Sequence, residues 1–161
     1  MLLLKILQKV VKMTERITKV VKIFKWHCSH ILEGHEGLCK NLHGHTYKLE
    51  VEVSGFPKSF SYKNKKDGMV IDFGELKKIV KEQIVDKFDH AIIIDNRNED
   101  LINFCEKQQY KILKLPYKTT AENMVNWIFE KLISVFQLNI GYSLTRVRLW
   151  ETDTSYAEVK E

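Results

Sequence analysis

The residues best suited to chemistry lie at His43-Gly44-His45, four residues after Cys39 and thirteen after His30. From Leu42 to Ser54 the side chains alternate. His43, His45, Tyr47, Leu49, Val51 and Val53 share one face, and Thr46, Lys48, Glu50 and Glu52 share the other. Two imidazoles therefore project from one end of an apolar face. Packing has no need of two titratable rings there, whereas a metal ion does. Zinc takes neutral imidazole nitrogens at about 2.0–2.1 Å, and an i, i+2 pair on a strand can converge on one ion. Gly44 between them lets a backbone or ligand come close.

A third ligand stands upstream. Phe24, Trp26, Cys28 and His30 alternate with Lys25, His27 and Ser29. As a strand, this segment ends with His30 on the face of Phe24 and Trp26. A hairpin to the next strand then brings His30 beside His43 and His45. Three histidines leave a fourth position open for water or substrate, the pattern of a catalytic rather than a structural zinc. The plain alternative is three ordinary polar residues at a strand entrance.

Three further features could carry chemistry. Cys39 sits in the loop leading to the histidine pair. A thiol beside a cation and imidazoles ionises more readily, which makes it a base or a nucleophile. It could equally be a buried small hydrophobe, or a fourth ligand that closes the site. Asp89-His90 is an acid–imidazole pair where a helix must end. Such a pair suits general acid–base work, but neighbours on a strand face opposite ways, so it needs a bent backbone. Glu151 shares the parity of Val147 and Leu149. A half-buried carboxylate there needs donors, and a guanidine-like edge of a pterin or guanine would supply them. A solvated strand-end glutamate is the other reading.

The elements that must position these residues form one domain. At 161 residues the chain can bury a real core. Cysteines at 28, 39 and 105 are odd in number and irregularly spaced, which argues for a reducing compartment, the cytoplasm, and against a disulfide framework. Of the net charge of +5, residues 1–25 carry seven basic side chains and Glu15. That segment holds +6 and the other 136 residues −1, so the body is no basic nucleic-acid binder. Residues 1–19 read as an extension: an amphipathic or frayed leader, or residues ahead of a natural start at Met13. A membrane-surface or nucleic-acid role for it is the alternative. Lysines interrupt its apolar runs and no small-residue cleavage site follows, unlike a signal peptide. No stretch reaches the roughly 20 apolar residues of a membrane span.

Residues 20–161 then read as a single α+β unit without repeats. Gly55–Gly68 is a turn-rich loop and Met69–Ile71 a short strand. Asp72 caps a helix, with Glu75 completing a capping box and Phe73, Leu76, Val80, Ile84 and Phe88 as its apolar stripe. A short helix over 100–107 and a strand over 110–115 follow. Thr119 or Thr120 caps a second long helix, whose buried face holds Met124, Trp127, Ile128, Leu132 and Val135. Strands at 144–151 and 156–160 end the chain. The expectation is a four-stranded antiparallel sheet with helices on one face.

Taken together, these residues resemble the 6-pyruvoyltetrahydropterin synthase / 6-carboxytetrahydropterin synthase family. The resemblance runs from about Phe24 to Tyr156. It rests on CSHIL (28–32), CKNLHGHTYKLEV (39–51), GMVIDFGELK (68–77), FDHAII (88–93), TAEN (120–123) and WET (150–152). It implies a Zn2+ site of His30, His43 and His45, and Cys39, Asp89 and His90 as the proton-transfer group. Glu151 would anchor a pterin ring, helped by Thr120 and Glu122. It also implies the tunnelling fold, in which sheets of several subunits join into a barrel, as a homohexamer built from two trimers. Asp89 and His90 would then serve a neighbour's Cys39.

Spacing separates branches of that family. The Cys-x-x-x-His-Gly-His run resembles the bacterial queuosine-pathway enzymes, whereas animal biopterin enzymes have a longer stretch and folate-branch relatives carry a Glu just ahead of His-Gly-His. Here Lys40 and Asn41 stand there, with Glu36 ahead of Cys39. The longer 95–118 segment departs from the compact bacterial pattern. The implied reaction converts 7,8-dihydroneopterin triphosphate to 6-carboxytetrahydropterin, acetaldehyde and triphosphate, with Lys25 and Arg148 as candidates for holding the triphosphate. A zinc-binding module without catalysis, closed by Cys39, is the rival from another class.

Overall fold

A computed structural model describes residues 16–58, 66–139 and 141–161. Residues 1–15 of the expected extension, and 59–65 of the expected loop, lie outside the described residues. β1 (Thr18–His30) and β2 (His43–Gly55) are both long strands. They pair antiparallel along their full length, from Thr18 opposite Gly55 to His30 opposite His43. β1 begins two residues ahead of the expected domain start, so Lys19 already belongs to the sheet.

The sheet has six strands, not four. Its order is β4-β3-β1-β2-β5-β6, with β5 at Tyr142–Trp150 and β6 at Tyr156–Lys160. The four antiparallel strands are β1, β2, β5 and β6. The two extra strands, β3 (Ile92–Asp95) and β4 (Ile112–Leu115), run parallel to the end of β1. Both are only four residues long. β4 falls within the strand expected over 110–115, whereas β3 begins as an apolar run that periodicity does not mark as sheet. Through β4 the segment 95–118 widens the sheet.

Most of the helical residues cover one face, but the expectation of helices on one face alone is corrected: the helix over 99–107 packs with Ile94 in a separate cluster, whereas the neighbouring Ile93 joins the main core. α1 (Phe73–Val80) starts at Asp72, whose carboxylate accepts the N–H groups of Gly74 and Glu75. Glu75 does not complete the expected capping box. Its carboxylate turns to Lys66 and Tyr142. A π-helical stretch (Lys81–Val85) and a last turn, α2 (Asp86–Phe88), continue the rod. Leu76, Val80, Ile84 and Phe88 are buried, as the stripe predicts, but Phe73 in the first turn is half-exposed under Lys22. Met69–Ile71 is not a strand, although Lys58 hydrogen-bonds to Met69. α3 (Glu99–Lys107) is capped by Asn98. α4 (Ala121–Phe136) is capped by Thr120, buries Met124, Val125, Ile128, Phe129, Leu132 and Phe136, and packs on β5 and β6. Trp127 and Val135 are only partly buried.

The core thus lies between sheet and helices. Trp26 stacks on Tyr47 with ring centroids 6.2 Å apart and meets Phe88 at 5.5 Å. Among the described residues no helix is long and apolar enough to cross a membrane.

Candidate metal centre

The β1–β2 register makes the metal cluster. His30 sits directly opposite His43, and His45 opposite Cys28, so three rings meet at the end of the covered face. Their centroids are 4.6, 5.0 and 5.2 Å apart. One ligand atom from each lies within 4.8 Å of the others. Gly44 lies tight against β1, where a Cβ would meet the Cys28 carbonyl oxygen at 3.1 Å. The close approach at Gly44 is thus to backbone.

Hydrogen bonds aim the rings. The His30 Nδ1 is 2.8 Å from the Thr119 carbonyl and the His43 Nδ1 is 2.7 Å from the Asn41 carbonyl. A carbonyl only accepts, so each Nδ1 carries the proton and each Nε2 keeps its lone pair. The His30 Nε2 is buried without a hydrogen-bond partner. Burial also pushes the His30 and His45 imidazoles below their ordinary pKa, favouring the neutral form that metals bind. A buried lone pair, three convergent imidazoles and oriented Nδ1 groups fit a divalent ion with nitrogen preference, zinc among them. Cys39 is not part of this group, which weighs against the closed four-ligand module.

Glu151 lies beside the cluster. Its Oε1 is 3.7 Å from the His30 Nε2 and accepts the Tyr47 hydroxyl at 3.2 Å. Burial, then the Glu151 charge, pushes the Tyr47 phenol up, so Tyr47 stays a donor. Glu151, Thr120 and Glu122 line one concavity of about 320 Å³ with His35, Ser155 and Tyr156. Cys39 lies in a 3₁₀ turn (Leu38–Lys40), is half-buried, and acts electrostatically on Tyr47. Cys28 is different: burial pushes its thiol up to about 12, which removes it as a base.

Asp89 and His90 stand elsewhere. His90 has φ +60°, the bend that lets adjacent residues cooperate. Its Nδ1 is 3.0 Å from the Asp89 carboxylate. Slight burial pushes the Asp89 carboxyl up, but the His27 N–H, the His90 ring and Lys111 outweigh it and hold it below the usual range. The pair faces His27 and the hollow along Ser29 and Gly44, not Cys39. Arg148 also lies apart from the cluster, with its guanidinium 2.7 Å from Glu158.

Thr119 and Tyr47 were not among the candidates. Thr119 is fully buried and donates its hydroxyl to the Ile31 carbonyl while its own carbonyl holds His30. Its only sequence mark was standing beside the helix cap.

A three-imidazole group that could hold a metal ion stands at the end of a hairpin, beside a carboxylate-lined concavity, in an α+β fold. The family model of 6-pyruvoyl tetrahydropterin synthase matches residues 19–161. The chain belongs to that family, and it is an enzyme of the tetrahydropterin synthase type. It is 44% identical over 146 residues to a 6-carboxy-5,6,7,8-tetrahydropterin synthase of Haemophilus influenzae, covering 89% of this chain and 99% of that one. A relative of the same name from Rickettsia felis is 29% identical over 144 residues, covering 88% and 99%. Among solved structures, an uncharacterised Wolinella succinogenes protein superposes with TM-score 0.74 at 22% identity, covering 91% of this chain and 99% of that one. The Caenorhabditis elegans 6-pyruvoyl tetrahydropterin synthase gives 0.63 at 24%, covering 91% and 96%. Those two likenesses concern the fold.

Proposed function

We propose that this chain is a zinc-dependent 6-carboxy-5,6,7,8-tetrahydropterin synthase of queuosine biosynthesis. It would convert 7,8-dihydroneopterin triphosphate and water to 6-carboxytetrahydropterin, acetaldehyde and triphosphate. The observation that carries this reading is the buried, unpartnered His30 Nε2 converging with His43 and His45 beside Glu151. His30, His43 and His45 would hold the zinc, which would supply Lewis-acid polarisation for the substrate's side-chain hydroxyls and carbonyl.

The chain's own residues do the rest. Glu151 accepts N–H groups from the pterin edge, with Tyr47 fixing one carboxylate oxygen. Thr120 and Glu122 border the ring's place. Cys39 takes a carbon-bound proton, and Asp89–His90 return protons. Cys39 does not line the hollow that His90 borders, which supports an assembly in which the pair serves a neighbour. Sheets of several subunits would join into a barrel, as a homohexamer of two trimers. The three free cysteines suit the cytoplasm.

Mass spectrometry of products from 7,8-dihydroneopterin triphosphate tests the reaction. Acetaldehyde with a 6-carboxy product is expected. A 6-pyruvoyl product with its three side-chain carbons, formed without acetaldehyde, moves the enzyme to the biopterin branch.

A further inference from the structure

The Asp89–His90 pair stands on a turn closed by two local hydrogen bonds, from the Ala91 N–H to the Phe88 carbonyl at 2.9 Å and from the Asp89 N–H to the Val85 carbonyl at 2.8 Å. His90 occupies the left-handed region at φ +60°, which a side chain with a Cβ adopts at a cost. The turn follows the end of α2, where helix carbonyls lack intrahelical partners. Contacts from outside the turn add to these local bonds and offset the cost of the left-handed residue.

One outside residue touches both ends of it. The Lys111 Nζ donates to the Asp86 carbonyl at 2.8 Å and to the Asp89 carbonyl at 2.6 Å. The Lys111 carbonyl accepts the Ile92 N–H at 2.9 Å, just beyond the turn. A cation at a helix C-terminus is also favoured by the peptide dipoles. β1 completes the frame. The His27 carbonyl accepts the His90 N–H at 2.7 Å, the His27 N–H donates to the Asp89 Oδ1 at 3.3 Å, and the Ser29 N–H bonds to the Ala91 carbonyl at 3.0 Å. Of these partners, Lys111 alone brings a charged side chain to the main chain of the turn.

Lys111 comes from the segment that adds β4 to the sheet. We infer that Lys111 is a positioning residue for the Asp89–His90 pair, and that the 95–118 segment serves to deliver it. This rests on the proton-transfer role proposed for the pair. Lys111 touches no reacting atom. It fixes the main chain from which His90 projects. Its side chain is exposed, so replacing it leaves the core intact.

The test compares Lys111→Met, which keeps the aliphatic stem, with Lys111→Arg, which keeps charged donors. Two hydrogen bonds from a charged group are lost in the first. Amide exchange at His90 should therefore speed by about tenfold or more. Exchange at Leu49 and Val51 in the central sheet should not change. In the zinc-loaded enzyme, kcat should fall about tenfold with KM and zinc content unchanged, since a displaced acid–base group loses its contribution to turnover. Lys111→Arg should restore both.

Unchanged exchange at His90 in Lys111→Met overturns the inference. So does faster exchange spread evenly over His90, Leu49 and Val51, which marks a general loss of stability. A fall in kcat that Lys111→Arg does not restore also overturns it. The exchange measurement needs no substrate. A parent enzyme inert towards 7,8-dihydroneopterin triphosphate would defeat the proposed reaction, while exchange would still decide whether Lys111 holds the turn.

Discussion

The two faces of the central sheet treat polar groups in opposite ways. On the open face the charges pair with one another. Glu52 receives Lys19 at 2.9 Å, the Thr145 hydroxyl at 3.1 Å and the Arg146 guanidinium at 3.1 Å. Glu50 takes Arg146 at 3.2 Å and the Trp150 indole N–H at 2.9 Å. Arg148 and Glu158 continue the row. On the covered face, at the far end of the same strands, the His30 Nε2 is buried with no partner. A protein normally leaves few such groups, because each costs about 1–3 kcal/mol. The satisfied row belongs to stability and the unsatisfied ring to function.

The largest break in this contrast comes from the histidines. His43→Ala, purified and assayed by emission spectrometry, should lose most of its metal and all measurable turnover. Full zinc occupancy in that variant would dismantle the three-histidine site. Cys39→Ala should come next, keeping its zinc and turning over at least about a hundredfold more slowly. If it lost its zinc instead, the closed binding module would be the better account. Glu151→Gln should raise KM, with a loss of roughly 1.5–3 kcal/mol in substrate binding, because a charge-assisted pair with the pterin edge goes unmade. An unchanged KM would remove Glu151 from ring recognition.

The open face should respond differently. Arg146→Met removes a shared cation from two largely buried carboxylates that keep their other partners, and should cost about 1 kcal/mol in chemical denaturation, less than a fully buried pair because water borders the row. Its zinc content and kcat should match the parent. Reduced zinc in Arg146→Met would show that the faces are coupled.

Acid should separate the two faces more gently. Burial holds His30 and His45 neutral, below the ordinary 6.5. Above that value folded and unfolded chains are alike; below it the unfolded chain binds protons first, so the metal-free fold weakens as pH drops under about 6.5. Glu52 is the reverse. Burial pushes its carboxyl up, but Lys19, Thr145 and Arg146 outweigh this and hold it below the ordinary 4.5. Its contribution is present above 4.5 and is lost as pH falls through the lowered folded value. Metal release and the first drop in stability should therefore precede loss of the open-face row in a pH series of denaturation curves. A single transition below pH 4.5 would contradict this order.

Much of this was legible along the chain. Alternation in 43–53 and 24–30 placed three histidines on one face, and the structure pairs those strands in that register. Asp72 and Thr120, both expected as caps, each cap a helix through their own side chain. The strand expected at Met69–Ile71 did not form; the strand expected over 110–115 did, as β4, but its parallel pairing and the whole of β3 were not foreseen. Parallel pairing joins strands through long connections, and four apolar residues such as Ala91–Ile94 look alike in a strand or a buried coil.

The sequence by itself determined which residues share a face and where helices begin. Those are short-range matters, set by a period of two and by caps within a turn. Only the tertiary structure decided which nitrogen of His30 is free, because the carbonyl that takes the other comes from Thr119, 89 positions away. It also decided that Glu151 meets Tyr47 across 104 positions, and that Lys111 reaches back to bind the Asp89 carbonyl. Hydrogen bonds between distant segments follow from the path of the whole chain, and no local pattern of residue types encodes that path.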